Sequence, residues 1–243
     1  RGDDAEYREQ LAALNVALST ATESRRSNAQ WDLARFYFAH NMAPDALGML
    51  RLLAEENPAV EQDLTYRAVR GASRFLMGRT DEAAEDLLSP AFSADPGVSL
   101  WRGALFVERG DWIAAQQEFA IGGFAIPAVP SKQQARFKVL SARAALKSDD
   151  LDTVDAELAS FEQHPGATPA LVSEAKLVLG EARLVGGDPE GGLAILEEVI
   201  AERVRPIWAE ADIVRNDYLL AEGEIDQEEA INRLQRLEHV WRG

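Results

Sequence analysis

Along this chain, compact and large apolar positions recur in a fixed order, each copy closed by a proline. Leu33-Ala34 is followed by an aromatic residue at Tyr37, a compact one at Ala46, a large apolar one at Leu50, and Pro58. Taking Ala34 as a small slot where two helices touch, the equivalent residues are Gly71, Gly103, Ala142 and Gly180. Seven residues after each stand Asn41, Gly78, Gly110, Asp149 and Gly187, types that tolerate positive φ and end helices just past the C-cap. Twelve after stand Ala46, Ala83, Ala115, Val154 and Gly192, all compact, and sixteen after stand Leu50, Leu87, Phe119, Leu158 and Leu196, all large. Pro58, Pro96, Pro127, Pro165 and Pro206 stop the second helix of each unit and turn the chain into the next.

Five copies agreeing at five slots predict five antiparallel helix pairs, at 25–60, 61–97, 98–130, 131–168 and 169–202. The small slots are 37, 32, 39 and 38 residues apart, so the connections must differ in length. Phe119–Pro130 carries no charge, and its pair Gly122-Gly123 predicts an early end to the second helix of the third unit. Residues 203–243 read as a degenerate sixth pair. Pro206-Ile207-Trp208 opens a helix, Gly223 breaks it, and Ala230 and Leu234 fill the second helix after about two inserted residues. Residues 1–24 hold one amphipathic helix from Ala5 to about Thr20, built on Tyr7, Leu11, Leu14 and Val16-Ala17-Leu18. It is either a cap for the first pair or the second helix of a pair cut off upstream. The ends, Arg1-Gly2-Asp3-Asp4 and Trp241-Arg242-Gly243, read as truncations of a longer chain.

On these residues the chain resembles the tetratricopeptide-repeat superfamily, closely over roughly 25–202 and loosely over 203–243. Trp31 lies one place off the position that the family gives to Trp, which holds Gln30. The resemblance implies an all-α fold, a right-handed α-solenoid of antiparallel helix pairs (TPR-like) running as a single array over 1–243. It also implies a concave groove, lined by the first helix of each pair, that takes a partner's peptide or helix. The implied groove positions are Asn28, Trp31, Arg35 and Phe38, then Thr65, Ala68, Ala72 and Phe75, then Gly97, Leu100, Ala104 and Val107. Arg136, Val139, Arg143 and Leu146 follow with Lys147 beside them, and then Glu174, Leu177, Glu181 and Leu184. Such a groove is apolar first, basic in its middle and acidic beyond. The full Lys and Asn set with which some members clamp a C-terminal carboxylate is absent.

Charge narrows the partners. With 25 Lys and Arg against 41 Asp and Glu, the formal charge of −16 repels phosphate backbones, so no nucleic-acid partner is expected. No stretch approaches the ~18–20 apolar residues that span a bilayer, so no direct membrane insertion is expected. The absence of cysteine excludes disulfides and thiolate metal sites. It suits an oxidising compartment and a cytosolic chain alike, with a lean toward the bacterial cell envelope. His40, His164 and His239 fall at helix ends in different repeats, without metal-ligand spacing. Glu55-Glu56, Asp149-Asp150 and Glu197-Glu198 are adjacent in sequence, which suits solvation and capping better than acid–base chemistry. No catalytic residue, metal or cofactor is expected.

Three sites remain with two readings each. Arg136, Arg143 and Lys147 share one helix face. They either seat a partner's carboxylate or pair with acids of the adjacent repeats, Glu174 and Glu181 among them. Trp31, Phe38 and Phe75 either anchor an apolar partner residue or pack against the N-terminal helix. Phe124 and Ile126 in the uncharged loop either dock a partner or are buried between repeats. The functional expectation is a non-catalytic protein-interaction scaffold, with self-association through the end repeats as a further mode. The alternatives are a structural spacer or regulatory segment of a larger cell-envelope protein and, behind it, a helical-repeat enzyme.

Overall fold

The structure, a computed structural model, describes the backbone of residues 2–93 and 95–241 and the side chains of 5–93 and 95–237. The side chains of His239 and of Trp241-Arg242-Gly243 lie outside these. Among the described residues the fold is all-helical, with no strand and with helices packed in adjacent pairs. A single helix, α1 (Gly2–Thr20), precedes the pairs α2 (Glu23–Ala39) and α3 (Ala43–Glu56), α4 (Leu64–Leu76) and α5 (Thr80–Leu87), and α6 (Pro96–Glu108) and α7 (Trp112–Gly122). The pairs α8 (Ser131–Leu146) and α9 (Leu151–Leu158), α10 (Pro169–Val185) and α11 (Pro189–Glu202), and α12 (Ile207–Ala221) and α13 (Gln227–Trp241) follow. As the glycine pair predicts, α7 stops at Gly122 and a 3-10 segment takes over at Gly123.

Local chemistry sets the helix ends. Asn41, Gly78, Gly110, Asp149 and Gly187 all adopt positive φ, between 60° and 83°, and Gly223 does the same in the degenerate pair. The residue after the positive-φ position then closes α2, α4, α8, α10 and α12. Met42 N–H donates to the Tyr37 carbonyl, Arg79 to Arg74, Asp150 to Ala145, Asp188 to Arg183 and Glu224 to Leu219, each at 2.9 Å. That is the Schellman closure. Aspartates at or just past these turns cap the second helices. Asp150 accepts from Thr153 N–H, Asp188 from Gly191 N–H and Asp226 from Glu229 N–H. Part of the acidity is therefore helix capping.

The small slots are contact points. A Cβ added at Gly71 would lie 2.7 Å from Leu87 Cγ, one at Gly103 2.9 Å from the Phe119 ring, and one at Gly180 3.0 Å from Leu196. The residue sixteen places on thus sits directly against the glycine, and a side chain there would push the pair apart. The first helices α4 and α12 then cover the pairs before them. Tyr66 packs with Leu50 and Leu53 and donates its hydroxyl to the Leu50 carbonyl at 3.0 Å. Ile207 and Ala211 pack with Leu196 and Val199.

The chain divides into two compact units, one of residues 1–110 with 117–126 and one of 111–116 with 127–243. In the first, α1 is held by Tyr7, whose ring lies 5.2 Å from Phe36 and 4.9 Å from His40 and whose hydroxyl donates to Met42 Sδ at 3.0 Å.

A second register runs through three pairs, one residue before the small slot and fifteen after it. Arg70 bonds Asp86 through Nε and Nη2, both at 2.9 Å, and Arg102 meets Glu118 at 2.7 Å. At the same places in α8 and α9, Ser141 contacts Glu157 at 3.4 Å while Lys138 donates to it at 2.9 Å. Asp86 is only 2% exposed and also receives Arg74 at 2.9 Å and Arg67 at 3.5 Å, so three guanidiniums from one helix face converge on one buried carboxylate. The hydrogen bonds to Asp86 raise the Arg70 pKa further, against the effect of burial.

Candidate partner-binding surface

The residues that the groove pattern names fall into three groups, decided by how closely successive first helices approach. In the first unit, Trp101 of α6 lies 5.7 Å from the Phe38 ring of α2 and 6.1 Å from the Phe75 ring of α4. One indole thereby joins three successive first helices. Phe38 keeps part of its surface, but Phe75 is 3% exposed, which corrects its reading as a surface anchor. Leu100, Ala104 and Val107 are likewise buried rather than lining an open groove, because helix-to-helix packing covers them.

In the second unit the bridging residue is charged. Arg143 of α8 pairs with Glu174 of α10 at 3.3 Å and with Glu210 of α12 at 3.8 Å, and Lys147 pairs with Glu181. Arg136 is engaged as well. The two basic residues therefore take the pairing alternative, with the acids that the sequence sets opposite them. Part-exposed pairs of this kind contribute about 0–1 kcal/mol each. Val139, Leu146 and Leu177, three further groove positions, are buried in the apolar clusters of this unit.

The third group forms a cleft in the first unit. Gln30, at the place the resemblance gives to Trp, is 3% exposed, and the one-residue offset turns Trp31 to the edge of the packing. Trp31 is half-buried, its ring 6.4 Å from that of Tyr66 and in contact with the Leu50, Leu53 and Val60 cluster. These rings and Leu53 make the apolar part of a cleft of about 250 Å³, rimmed by Ser27, Asn28, Asn57, Asp63 and Thr65. Asn28, Trp31 and Thr65 are groove positions of the sequence pattern. Asn57 and Asp63 are not, although Pro58 after Asn57 and the Asp63 cap on Tyr66 N–H at 2.9 Å mark them as loop residues turned toward helix ends. Arg35 is exposed one turn beyond Trp31.

Larger hollows offer less. One of about 610 Å³ between α3 and α4 is lined by Arg51, Arg70, Arg74 and Arg79, each already paired with an acid. Another of about 700 Å³ among α11, α12 and α13 holds the pairs Arg215–Asp212 and Arg233–Glu229 and has Arg203 over the Trp208 ring. Two histidines have structural contacts. His40 Nδ1 lies 2.8 Å from the Phe36 carbonyl, and His164 Nδ1 accepts the Gly166 N–H at 3.1 Å. Among the described residues no three His, Asp or Glu side chains are grouped to hold a metal, and no helix is long and apolar enough to cross a membrane. Phe124 in the uncharged loop is 89% exposed, so that segment is not buried as a whole. No family model matches the chain, and a search of curated proteins returns no match.

Proposed function

We propose that this chain is a non-catalytic protein-interaction module, a right-handed solenoid of the tetratricopeptide kind, that holds a segment of a partner protein. The observation that carries this reading is the Trp31 cleft. It joins a half-buried indole, an apolar floor and a rim of amide, hydroxyl and carboxylate groups, the mixture that anchors a side chain and fixes its backbone. Arg35 and Phe38 extend the same face of α2 beyond it. Arg143 and Lys147 are a poorer seat, because a partner carboxylate would have to displace Glu174, Glu210 and Glu181.

The test is capture of partners by the immobilised wild-type chain, by Trp31→Ala and by Arg136→Glu/Arg143→Glu. The expected result is a loss of at least about tenfold for Trp31→Ala, with the double variant retaining its partners. Equal capture by wild type and Trp31→Ala would remove the cleft from the function.

A further inference from the structure

Among the residues that line the Trp31 cleft, Asp63 is the charged one, and it stands at the end of an acidic loop. Residues 55–63 carry Glu55, Glu56, Glu61 and Asp63 and no base. Glu56 is met by Arg26 at 4.0 Å, Glu61 by Arg70 at 3.3 Å and Glu55 by Arg51 at 3.6 Å. Asp63 differs. It is exposed, lines the cleft, caps α4 through one oxygen and forms no ion pair among the described residues. Arg25 stands on the turn of α2 before the rim residue Asn28, and Arg67, two residues past Thr65, is engaged with Asp86 and the Glu85 carbonyl.

The cleft's polar rim thus carries a carboxylate beside an indole. An aromatic face attracts a cation through its quadrupole, and a guanidinium can lie flat on the ring while its edge donates to a carboxylate. The molecule makes the ring contact within itself, with Arg70 at 5.0 Å over Tyr66 and Arg203 at 4.8 Å over Trp208. At about 250 Å³ the cleft is smaller than the ~300–1,000 Å³ pockets that enclose drug-sized ligands, and fits one long side chain. The formal charge of −16 adds a long-range attraction for a basic partner.

We infer that the Trp31 cleft receives an arginine or lysine side chain from an extended basic segment of the partner, its cation over Trp31 and against Asp63. Asn28, Asn57 and Thr65 supply donors and acceptors for the backbone on either side. This rests on the interaction reading of the first unit and names the chemistry of its partner.

The experiment is selection of a random-peptide display library on the full chain, followed by titration of the enriched peptides against wild type, Trp31→Ala and Asp63→Asn. Asn at 63 keeps a helix-capping side chain while removing the charge. Melting curves establish that both variants fold. The expected result is enrichment of Arg or Lys at one position, with affinity falling at least about tenfold in both variants and weakening as salt rises. Enrichment of acidic or purely apolar residues at the Trp31-dependent position would overturn the basic specificity and leave the interaction reading standing. No Trp31-dependent enrichment at all would overturn both.

Discussion

Asp149 and Asn41 hold left-handed backbone, at φ 60° and 62°, in the same structural position that Gly78, Gly110 and Gly187 fill. A side chain at that φ crowds its own backbone, and Asp and Asn tolerate the conformation better than most without reaching the freedom of glycine. Asp149→Gly should therefore stabilise the protein by about 0.5–1 kcal/mol, and Gly78→Ala should destabilise it by about 1 kcal/mol. Denaturant midpoints of the two variants check this, and a destabilised Asp149→Gly would show that the carboxylate matters more than the strain. All five positions were legible in the sequence, because the left-handed turn depends on the residue itself. Exposure was not legible in this way. Phe38 and Phe75 occupy the same slot of consecutive repeats, yet only Phe75 is fully buried. The packing around each ring, not its sequence position, decides which one reaches solvent.

At the scale of helix pairs, the charges one before and fifteen after the small slot matter most. Burying Asp86 is tolerable because Arg67, Arg70 and Arg74 neutralise it and fill its hydrogen-bonding positions. Asp86→Ala leaves these guanidiniums crowded together without a carboxylate, and should cost about 3–5 kcal/mol. Urea unfolding measures the loss; one below about 1 kcal/mol would mean that solvent reaches the cluster freely. The register was present in the sequence as Arg70 with Asp86 and Arg102 with Glu118, and only a reading of polar as well as apolar slots would have found it. The apolar slots gave the pairing of helices. They carried no information on which groove positions the neighbouring first helix would cover, as α12 covers Leu177 through Ile207 and Ala211.

For the whole molecule, the excess of acids ties stability to pH through particular carboxylates. Glu202 accepts from the Ser173 hydroxyl and from Lys176, and these bonds hold its pKa below the ordinary 4.5. A depressed folded-state pKa means stabilisation that is present above about pH 4.5 and lost as pH falls through the lower folded value. Glu202→Gln should thus be less stable than wild type near neutral pH, with the gap closing as pH falls below the ordinary carboxylate range. A gap that stays constant over that range would assign the effect to shape rather than charge. The paired charges also bear on how the chain finds its fold. Look-alike helices invite mispairing, a characteristic failure of repeat proteins. Were α2 to take α5 as its partner, Asp86 would face Leu33 and Gln30, which stand where α4 offers Arg70 and Arg67. A buried carboxylate left so would cost about 3–5 kcal/mol, a large share of a typical domain's stability of ~5–15 kcal/mol. The charge at this register thus sorts the first helices into those that carry Arg there, as α4 and α6 do, and those that carry Leu, as α2 does, and only the first kind can meet the buried acid.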